Sequence, residues 1–273
     1  MNQDLKAKSS ELTRLLIEME RVVVAYSGGV DSALLASAAH DALGARAVAV
    51  TAVSPSLAAR ELHAATDLAA ELGWNHRVVT TYEIEREEYA RNESDRCYWC
   101  KTELFEVLAP VSEELGAEIA VGTNVDDLSD YRPGLAAADE NRVRTPLADA
   151  GLTKADVRAL SAARGLPTAD KAASPCLASR FAYGVRVTSE GLKRVDRAEE
   201  VLRDLGFDVL RVRDHGDLAR IEVPTTEIER VAALRSKIET ELRKLGFKYV
   251  TLDLAGFRSG SLNAVLTAPR IKG

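Results

Sequence analysis

The sequence predicts an α/β fold, in which a parallel β-sheet covered by helices is followed by a smaller α+β domain. Over the first 165 residues, short apolar runs alternate with segments of helical periodicity, which is typical of right-handed βαβ units. After residue 187 the elements are shorter, and a helix no longer separates each strand from the next. The chain has 273 residues, of which 46% are hydrophobic, so it is long enough to bury a core in each part.

The elements of the first part follow one another in a regular order. After a helix over residues 11–20, the apolar run Arg21–Tyr26 predicts the first strand. Further strands are predicted at 46–53, 75–82 and 118–122, and further helices at 30–43, 56–72, 101–115 and 153–164. Gly44 is expected to end the second helix, and Ser54 or Ser56 to cap the third. Because ligands bind beyond the carboxyl ends of parallel strands, the loops after these strands are expected to hold the site.

An irregular stretch separates the two parts. Residues 166–187 contain two prolines and many small residues without a period, which indicates a functional loop and a domain junction. We therefore predict domains at 1–165 and 188–273, joined by this loop. The second domain is expected to serve substrate binding or oligomerisation, with helices at 188–205 and 225–245 and strands at 207–213, 218–223 and 247–254.

Composition narrows the class of protein. No apolar run approaches the ~18 residues that a membrane span needs, and the N-terminus is polar. Three cysteines are too few for a disulfide scaffold, so a cytoplasmic protein with reduced thiols is expected. The net charge of −6 does not favour nucleic acid as a partner, because nucleic-acid affinity comes largely from many basic contacts to phosphates.

A glycine-rich turn, SGGVDS at Ser27–Ser32, lies between the first strand and the following helix. Its glycines bring backbone N–H groups close to a ligand, and the helix N-terminus favours an anion. The pattern is not the Walker type, since no lysine follows the last glycine. A bare strand-to-helix turn is the simpler alternative. The residues expected to bind nucleotide here are Ser27, Gly28, Gly29, Asp31 and Ser32.

The complete SGGVDS turn, after VVVAY and before a helix, resembles the pyrophosphate loop of the N-type ATP pyrophosphatases. The resemblance implies the parallel sheet of that superfamily, binding of ATP with Mg²⁺, and cleavage to AMP and pyrophosphate. A second polar cluster, GTNVDD at the end of the fourth strand, offers an amide, a hydroxyl and adjacent carboxylates suited to Mg²⁺ or ribose. On its own such a turn is more often a capping device. Its candidate ligands are Gly122, Thr123, Asn124, Asp126 and Asp127.

The three cysteines form a further candidate site. Cys97 and Cys100 are three residues apart, and Cys176 lies in the junction loop. The pair could be half of a zinc site or a redox dithiol, and Cys176 could be inert packing. Three thiolates without a fourth protein ligand also fit a [4Fe–4S] cluster that leaves one iron open.

Taken together, several motifs resemble the LarE family of sulfur transferases, which build the nickel-pincer nucleotide of lactate racemase. These motifs are SGGVDS, the CYWCK stretch at 97–101, GTNVDD, PCLASR, RVRDHG and the terminal GSLN at 260–263. The resemblance implies adenylylation of the carboxylates of pyridinium-3,5-biscarboxylic acid mononucleotide and their conversion to thiocarboxylates. It implies sulfur carried on a [4Fe–4S] cluster held by Cys97, Cys100 and Cys176, with Cys176 as catalytic residue. In other members a cysteine matching Cys176 gives up its own sulfur.

Four basic residues are candidates for holding phosphate or carboxylate groups: Lys101, Arg180, Arg211 and Arg213. Arg211 and Arg213 share one face of a strand, and the matching positions of the family bind phosphate near a subunit interface of a hexamer. For each arginine an ordinary ion pair is the simpler reading. The resemblance thus implies a homo-oligomer.

Other functions remain open from sequence alone. A tRNA-thiolating enzyme of the same superfamily would also use cysteines, but it needs a broad basic face. An ammonia-dependent amide ligase would not need Cys176, and a nucleotide sensor would release no pyrophosphate.

Overall fold

The computed structural model describes residues 2–128 and 133–258, which form two units. The first comprises the chain up to Tyr89 together with Asp95–Ser174. The second comprises Ala90–Ser94 and the described chain from Pro175 onward. The predicted GSLN motif at 260–263 and part of the loop after the fourth strand lie outside the described residues.

The first unit alternates strands and helices. Its strands are β1 (Val22–Ala25), β2 (Ala47–Val53), β3 (Asn75–Thr80) and β4 (Glu118–Ala120). Its helices are α1 (Gln3–Glu18), α2 (Val30–Leu43), α3 (Ala59–Glu71), α4 (Glu87–Ala90, ending in the second unit), α5 (Arg96–Leu115), α6 (Val125–Leu128), α7 (Gly134–Glu140), α8 (Pro146–Asp149) and α9 (Lys154–Ala163).

Within the described residues, these four strands form a parallel sheet in the order β3-β2-β1-β4, so the predicted α/β fold is confirmed. Successive residues of β1 point to opposite faces of the sheet. Val22 and Val24 pack in the core beneath α1 and α2, whereas Val23 packs in the core beneath α5. Both faces are therefore buried, which explains why β1 is a continuous apolar run.

Three local predictions in the first unit are wrong. The helix predicted at 11–20 begins eight residues earlier and spans Gln3–Glu18 as α1. The helix α3 begins at Ala59 with Ala58 as its N-cap, not with Ser54 or Ser56. Both serine hydroxyls donate instead to Glu83, a buried carboxylate after β3. The helix predicted at 101–115 begins earlier, at Arg96, so its first turns include residues assigned to a loop.

The second unit is a small α+β arrangement. It contains α10 (Ser189–Asp204), β5 (Arg211–His215), β6 (Leu218–Glu222), α11 (Ile228–Ala233), α12 (Arg235–Lys244) and β7 (Tyr249–Leu252). In the described part of this unit the sheet order is β5-β6-β7, with an antiparallel pair followed by a parallel one. Thr188 caps α10, since its hydroxyl accepts a hydrogen bond from the Gly191 N–H.

The predictions for the second unit are partly wrong. The strand predicted at 207–213 lies instead at Arg211–His215. The apolar residues Phe207 and Leu210 suggested an earlier start, but they are buried in the core without pairing to a neighbouring strand. The single helix predicted at 225–245 is divided into α11 and α12 at Leu234.

A short segment of the chain before residue 95 belongs to the second unit. Asn92 is fully buried with a φ of 59°, and its amide nitrogen donates to the carbonyls of Ala182 and Val185 at 2.7 and 2.9 Å. The carbonyl of Ala90 accepts from the N–H of Val187 at 2.9 Å. The second unit is therefore built from two separate stretches of sequence.

Candidate active site

The turn after β1 is held in a tight conformation. Gly28 has a φ of +72°, and a Cβ atom there would lie 2.9 Å from the Cβ of Ala65 on α3. The position therefore requires glycine for its conformation and for its close approach to α3. The Ser32 hydroxyl accepts from the Ser27 N–H at 3.2 Å and donates to the Gly29 carbonyl at 3.1 Å. The turn leads directly into α2, whose first N–H groups and dipole favour an anion.

The GTNVDD cluster lies against this turn, because β4 is the neighbour of β1 in the sheet. A Cβ at Gly122 would lie 2.8 Å from the Ser32 nitrogen, so only glycine permits the approach. Asn124 is buried, and its amide donates to the Asp31 carboxylate at 3.0 Å. The structure thus brings the two motifs together at the carboxyl edge of the sheet, where the sequence predicted them.

The two adjacent aspartates of this cluster accept backbone hydrogen bonds. Asp127 accepts from the Asn124 N–H at 3.1 Å, and Asp126 accepts from the N–H of Lys154, the first residue of α9, at 2.8 Å. These contacts cap a turn and a helix, as the simpler reading of the motif expects. The third carboxylate of the two motifs, Asp31, belongs to the glycine-rich turn and lies in the first turn of α2.

Two lysines at the glycine-rich turn were missed from the sequence. The Lys154 ammonium forms an ion pair with Asp31. The Lys171 ammonium donates to the Gly28 carbonyl at 2.9 Å and forms an ion pair with Glu61 at 2.7 Å. These partners are separated by more than a hundred residues in the chain, so no local pattern could reveal them.

The cysteines lie in both units. Cys97 and Cys100 are one turn apart near the start of α5, and Cys97 is exposed. Cys176 is half-buried and directly precedes a short 3₁₀ turn, Leu177–Arg180, in the second unit. Within the described residues, no group of three or more His, Cys, Asp or Glu side chains could hold a metal ion. Lys101 follows Cys100, and its stem packs on Gly134, where a Cβ would be 2.8 Å away.

Arg180 and Arg213 are engaged by buried glutamates. Arg180 forms a bidentate pair with Glu199 at 2.8 and 2.9 Å and donates to the Pro175 and Cys176 carbonyls. Arg213 forms a bidentate pair with Glu222 at 3.0 and 2.9 Å and donates to the Ser179 carbonyl at 2.6 Å. In this structure both guanidinium groups therefore fix the backbone that carries Cys176.

Arg211 has a different environment from its strand neighbour. Its guanidinium lies 5.1 Å from the centre of the Phe257 ring and donates to the Leu210 carbonyl. Burial lowers the pKa of Arg211 to about 10, and the positive charge of Arg180 acts in the same direction. The negative charge of Glu199 opposes this shift, and the phosphate role of Arg211 stays a prediction.

Replacing Glu199 with glutamine is expected to lower the free energy of unfolding by about 3–5 kcal/mol, because buried guanidinium groups lose their countercharge. Burial disfavours the charged carboxylate, but the hydrogen bonds and charges of Arg180 and Arg203 outweigh it and hold the pKa of Glu199 below its usual value. The stabilisation is therefore complete above the unfolded-state pKa near 4.5 and is lost as the pH falls through the lower folded-state pKa.

Urea denaturation at pH 7 and at stepwise lower pH tests this prediction. The matched control is Glu200→Gln, since Glu200 pairs with a largely exposed Arg197 at 3.3 Å and its loss costs under about 1 kcal/mol. Equal losses for the two variants, or a difference between wild type and Glu199→Gln that does not shrink in acid, would contradict it.

Comparison with known proteins relates the glycine-rich turn and the whole chain to enzymes of known families. A family model described as NAD synthase matches residues 13–97, which include the glycine-rich turn. An uncharacterized protein of Synechocystis is 47% identical over 96% of this chain and 99% of its own length. The pyridinium-3,5-bisthiocarboxylic acid mononucleotide synthase of Lactiplantibacillus plantarum is 39% identical over 98% of both chains. The tRNA-specific 2-thiouridylase of Azorhizobium caulinodans is 36% identical over 55% of this chain and 48% of its own.

The parallel sheet and its glycine-rich turn define a nucleotide-binding domain of the N-type ATP pyrophosphatase class. The near full-length identity to the L. plantarum synthase is more specific than this class. The chain belongs to the LarE family, and it is an ATP-dependent sulfurtransferase. In the part of the chain that the structure describes, no helix has the length and apolar character needed to cross a membrane.

Proposed function

We propose that this enzyme converts the carboxylates of pyridinium-3,5-biscarboxylic acid mononucleotide to thiocarboxylates, for the nickel-pincer cofactor. The observation that carries the proposal is the 39% identity, over 98% of both chains, to a synthase named for the corresponding bisthiocarboxylic acid product. The relation to the tRNA thiouridylases covers only 55% of the chain, so it supports the shared chemistry more than a shared substrate.

The first half-reaction activates a carboxylate. A substrate carboxylate oxygen forms a bond to the α-phosphorus of ATP, and the bond from that phosphorus to pyrophosphate breaks. The glycine-rich turn and the N-terminus of α2 supply N–H donors for the triphosphate. Asp31 offers the hard oxygen ligand that Mg²⁺ prefers, and the ion would neutralise charge on the departing pyrophosphate.

The second half-reaction introduces sulfur. A sulfur nucleophile forms a bond to the activated carbonyl carbon, and the bond to AMP breaks. Adenylylation is needed because a carboxylate is anionic and has no leaving group, whereas a sulfur nucleophile held nearby reacts readily with an acyl-adenylate. Arg180 and Arg213 position the backbone around Cys176 for this step.

We propose that Cys97, Cys100 and Cys176 hold a [4Fe–4S] cluster, which supplies a transferable sulfide at its open iron. Their soft thiolates suit iron–sulfur clusters, and each has at least partial exposure. The proposal rests on this donor chemistry and on the family resemblance, because the described residues contain no assembled three-ligand group. Transfer of the Cys176 sulfur itself is the alternative source. The resemblance also supports a cytoplasmic homo-oligomer, a hexamer.

The test is to purify the protein without oxygen, measure iron and acid-labile sulfide, and follow thiocarboxylate formation by mass spectrometry. About four irons per chain, and more than one product per chain when sulfide is supplied, are expected. Iron-free protein after anaerobic reconstitution, with Cys176 lighter by one H₂S after a single turnover, would establish the alternative source. Thiolation of bulk tRNA without any pyridinium product would overturn the proposed substrate.

A further inference from the structure

Lys171 is held at the glycine-rich turn by contacts at its backbone and at its ammonium group. At its backbone, Arg158 of α9 donates to the carbonyls of Ala169 and Lys171 at 2.6 and 3.0 Å. At its tip, the ammonium contacts the Gly28 carbonyl at 2.9 Å. The backbone contacts therefore place the Lys171 ammonium next to the glycine-rich turn.

The ammonium of Lys171 also has an acidic partner that keeps it in place. Glu61 lies on α3, is nearly buried, and pairs with Lys171 at 2.7 Å. Burial disfavours the charged form of Glu61, but the hydrogen bond and charge of Lys171 outweigh it and lower the pKa of this carboxyl. The lowered pKa keeps the Glu61 carboxylate ionised at neutral pH, and this carboxylate holds the Lys171 side chain beside the turn.

The Lys171 ammonium lies where a bound triphosphate would need positive charge, in addition to its ion pair with α3. The glycine-rich turn is the part of the site that receives the triphosphate, whose negative charge must be neutralised by more than N–H dipoles. The side chain of Lys171 is about a quarter exposed. A lysine stem is flexible, so its ammonium can move by a few ångströms while its backbone stays in place.

We propose that Lys171 binds the β- and γ-phosphates of ATP, moving its ammonium from the Gly28 carbonyl and Glu61 onto phosphate oxygens. This role supplies the lysine that the turn itself lacks, from a segment more than a hundred residues away. It deepens the proposed function and rests on ATP binding at this turn. AMP, which lacks these phosphates, does not make the contact.

The proposal is tested by calorimetric titration of Lys171→Gln with three probes in Mg²⁺: α,β-methylene-ATP, pyrophosphate and AMP. A charge-assisted contact is worth roughly 1.5–3 kcal/mol, so the Kd of the ATP analogue and of pyrophosphate should rise about 10- to 100-fold. The Kd of AMP should stay within about twofold. Lys171→Arg, which retains the charge, should restore most of the affinity for the analogue.

Lys8→Gln is the matched control, because Lys8 forms a similar ion pair, with Asp156 at 2.8 Å, and is equally exposed. It should leave all three affinities unchanged. An unchanged Kd for the analogue in Lys171→Gln, or equal weakening of the analogue and AMP, would overturn the inference and leave ATP binding intact. Wild-type protein that binds no analogue would overturn ATP binding at the turn together with the inference.

Discussion

Replacing Asp31 with asparagine is expected to lower substrate-dependent pyrophosphate release by at least about a hundredfold. Asparagine has nearly the same shape and can still accept the hydrogen bond from Asn124, but it lacks the charge that pairs with Lys154. It also lacks the charge that, in the proposed function, would attract Mg²⁺. The variant should therefore fold normally and lose catalysis. Pyrophosphate release, measured at saturating ATP with the pyridinium mononucleotide, checks this expectation.

The same helix provides a matched control for Asp31. Asp41 lies in the last turns of α2 and forms an ion pair with Arg164, so Asp41→Asn removes one charge and one ion pair from the opposite end. Its rate should stay within about twofold of wild type, since a half-exposed pair contributes little. Comparable losses of activity in the two variants would show that the charge of Asp31 has no special role.

Replacing Cys176 with alanine is expected to reduce thiocarboxylate formation to background while pyrophosphate release stays within about threefold of wild type. The loss arises because Cys176 is needed whether the sulfur comes from the cluster or from Cys176 itself. The retention is expected because pyrophosphate is released in the half-reaction that precedes sulfur transfer, and that half-reaction uses no thiol. Both products should be measured on one anaerobic preparation, by mass spectrometry and by a pyrophosphate assay.

Cys97→Ala distinguishes the two sulfur sources. With a cluster as sulfur carrier, it should lose iron and thiocarboxylate formation together. With Cys176 as sole donor, it should retain a single turnover. Full product formation by Cys176→Ala would remove this thiol from the reaction altogether, whatever the outcome at Cys97.

The sequence contained enough information for the parallel sheet and for the meeting of the two polar loops. Apolar runs of strand length reveal buried strands, and parallel strands necessarily bring their carboxyl ends to one edge. The residues that were missed have another origin. Lys171 reaches Gly28 only through the fold. Glu199 looks like an ordinary charged residue of an amphipathic helix, and its partners Arg180 and Val212 lie outside that helix.

The start of α5 was misplaced for a local reason. Its first turns, around Cys97 and Cys100, lack the apolar spacing that identifies a helix. This matters for the candidate site, because a helix fixes the separation of the two thiols at one turn, whereas a loop would not.

The contribution of Ala90–Ser94 to the second unit has a consequence for how the chain is made. Asn92 leaves the ribosome 93 residues before Val185, whose carbonyl it contacts. At roughly 5–20 residues per second, the side chain waits on the order of 5–20 s for this partner. Completion of the second unit is thus coupled to late translation. A cassette that begins at Pro175 would omit one of its buried hydrogen-bonding residues, so exchange between relatives requires both stretches.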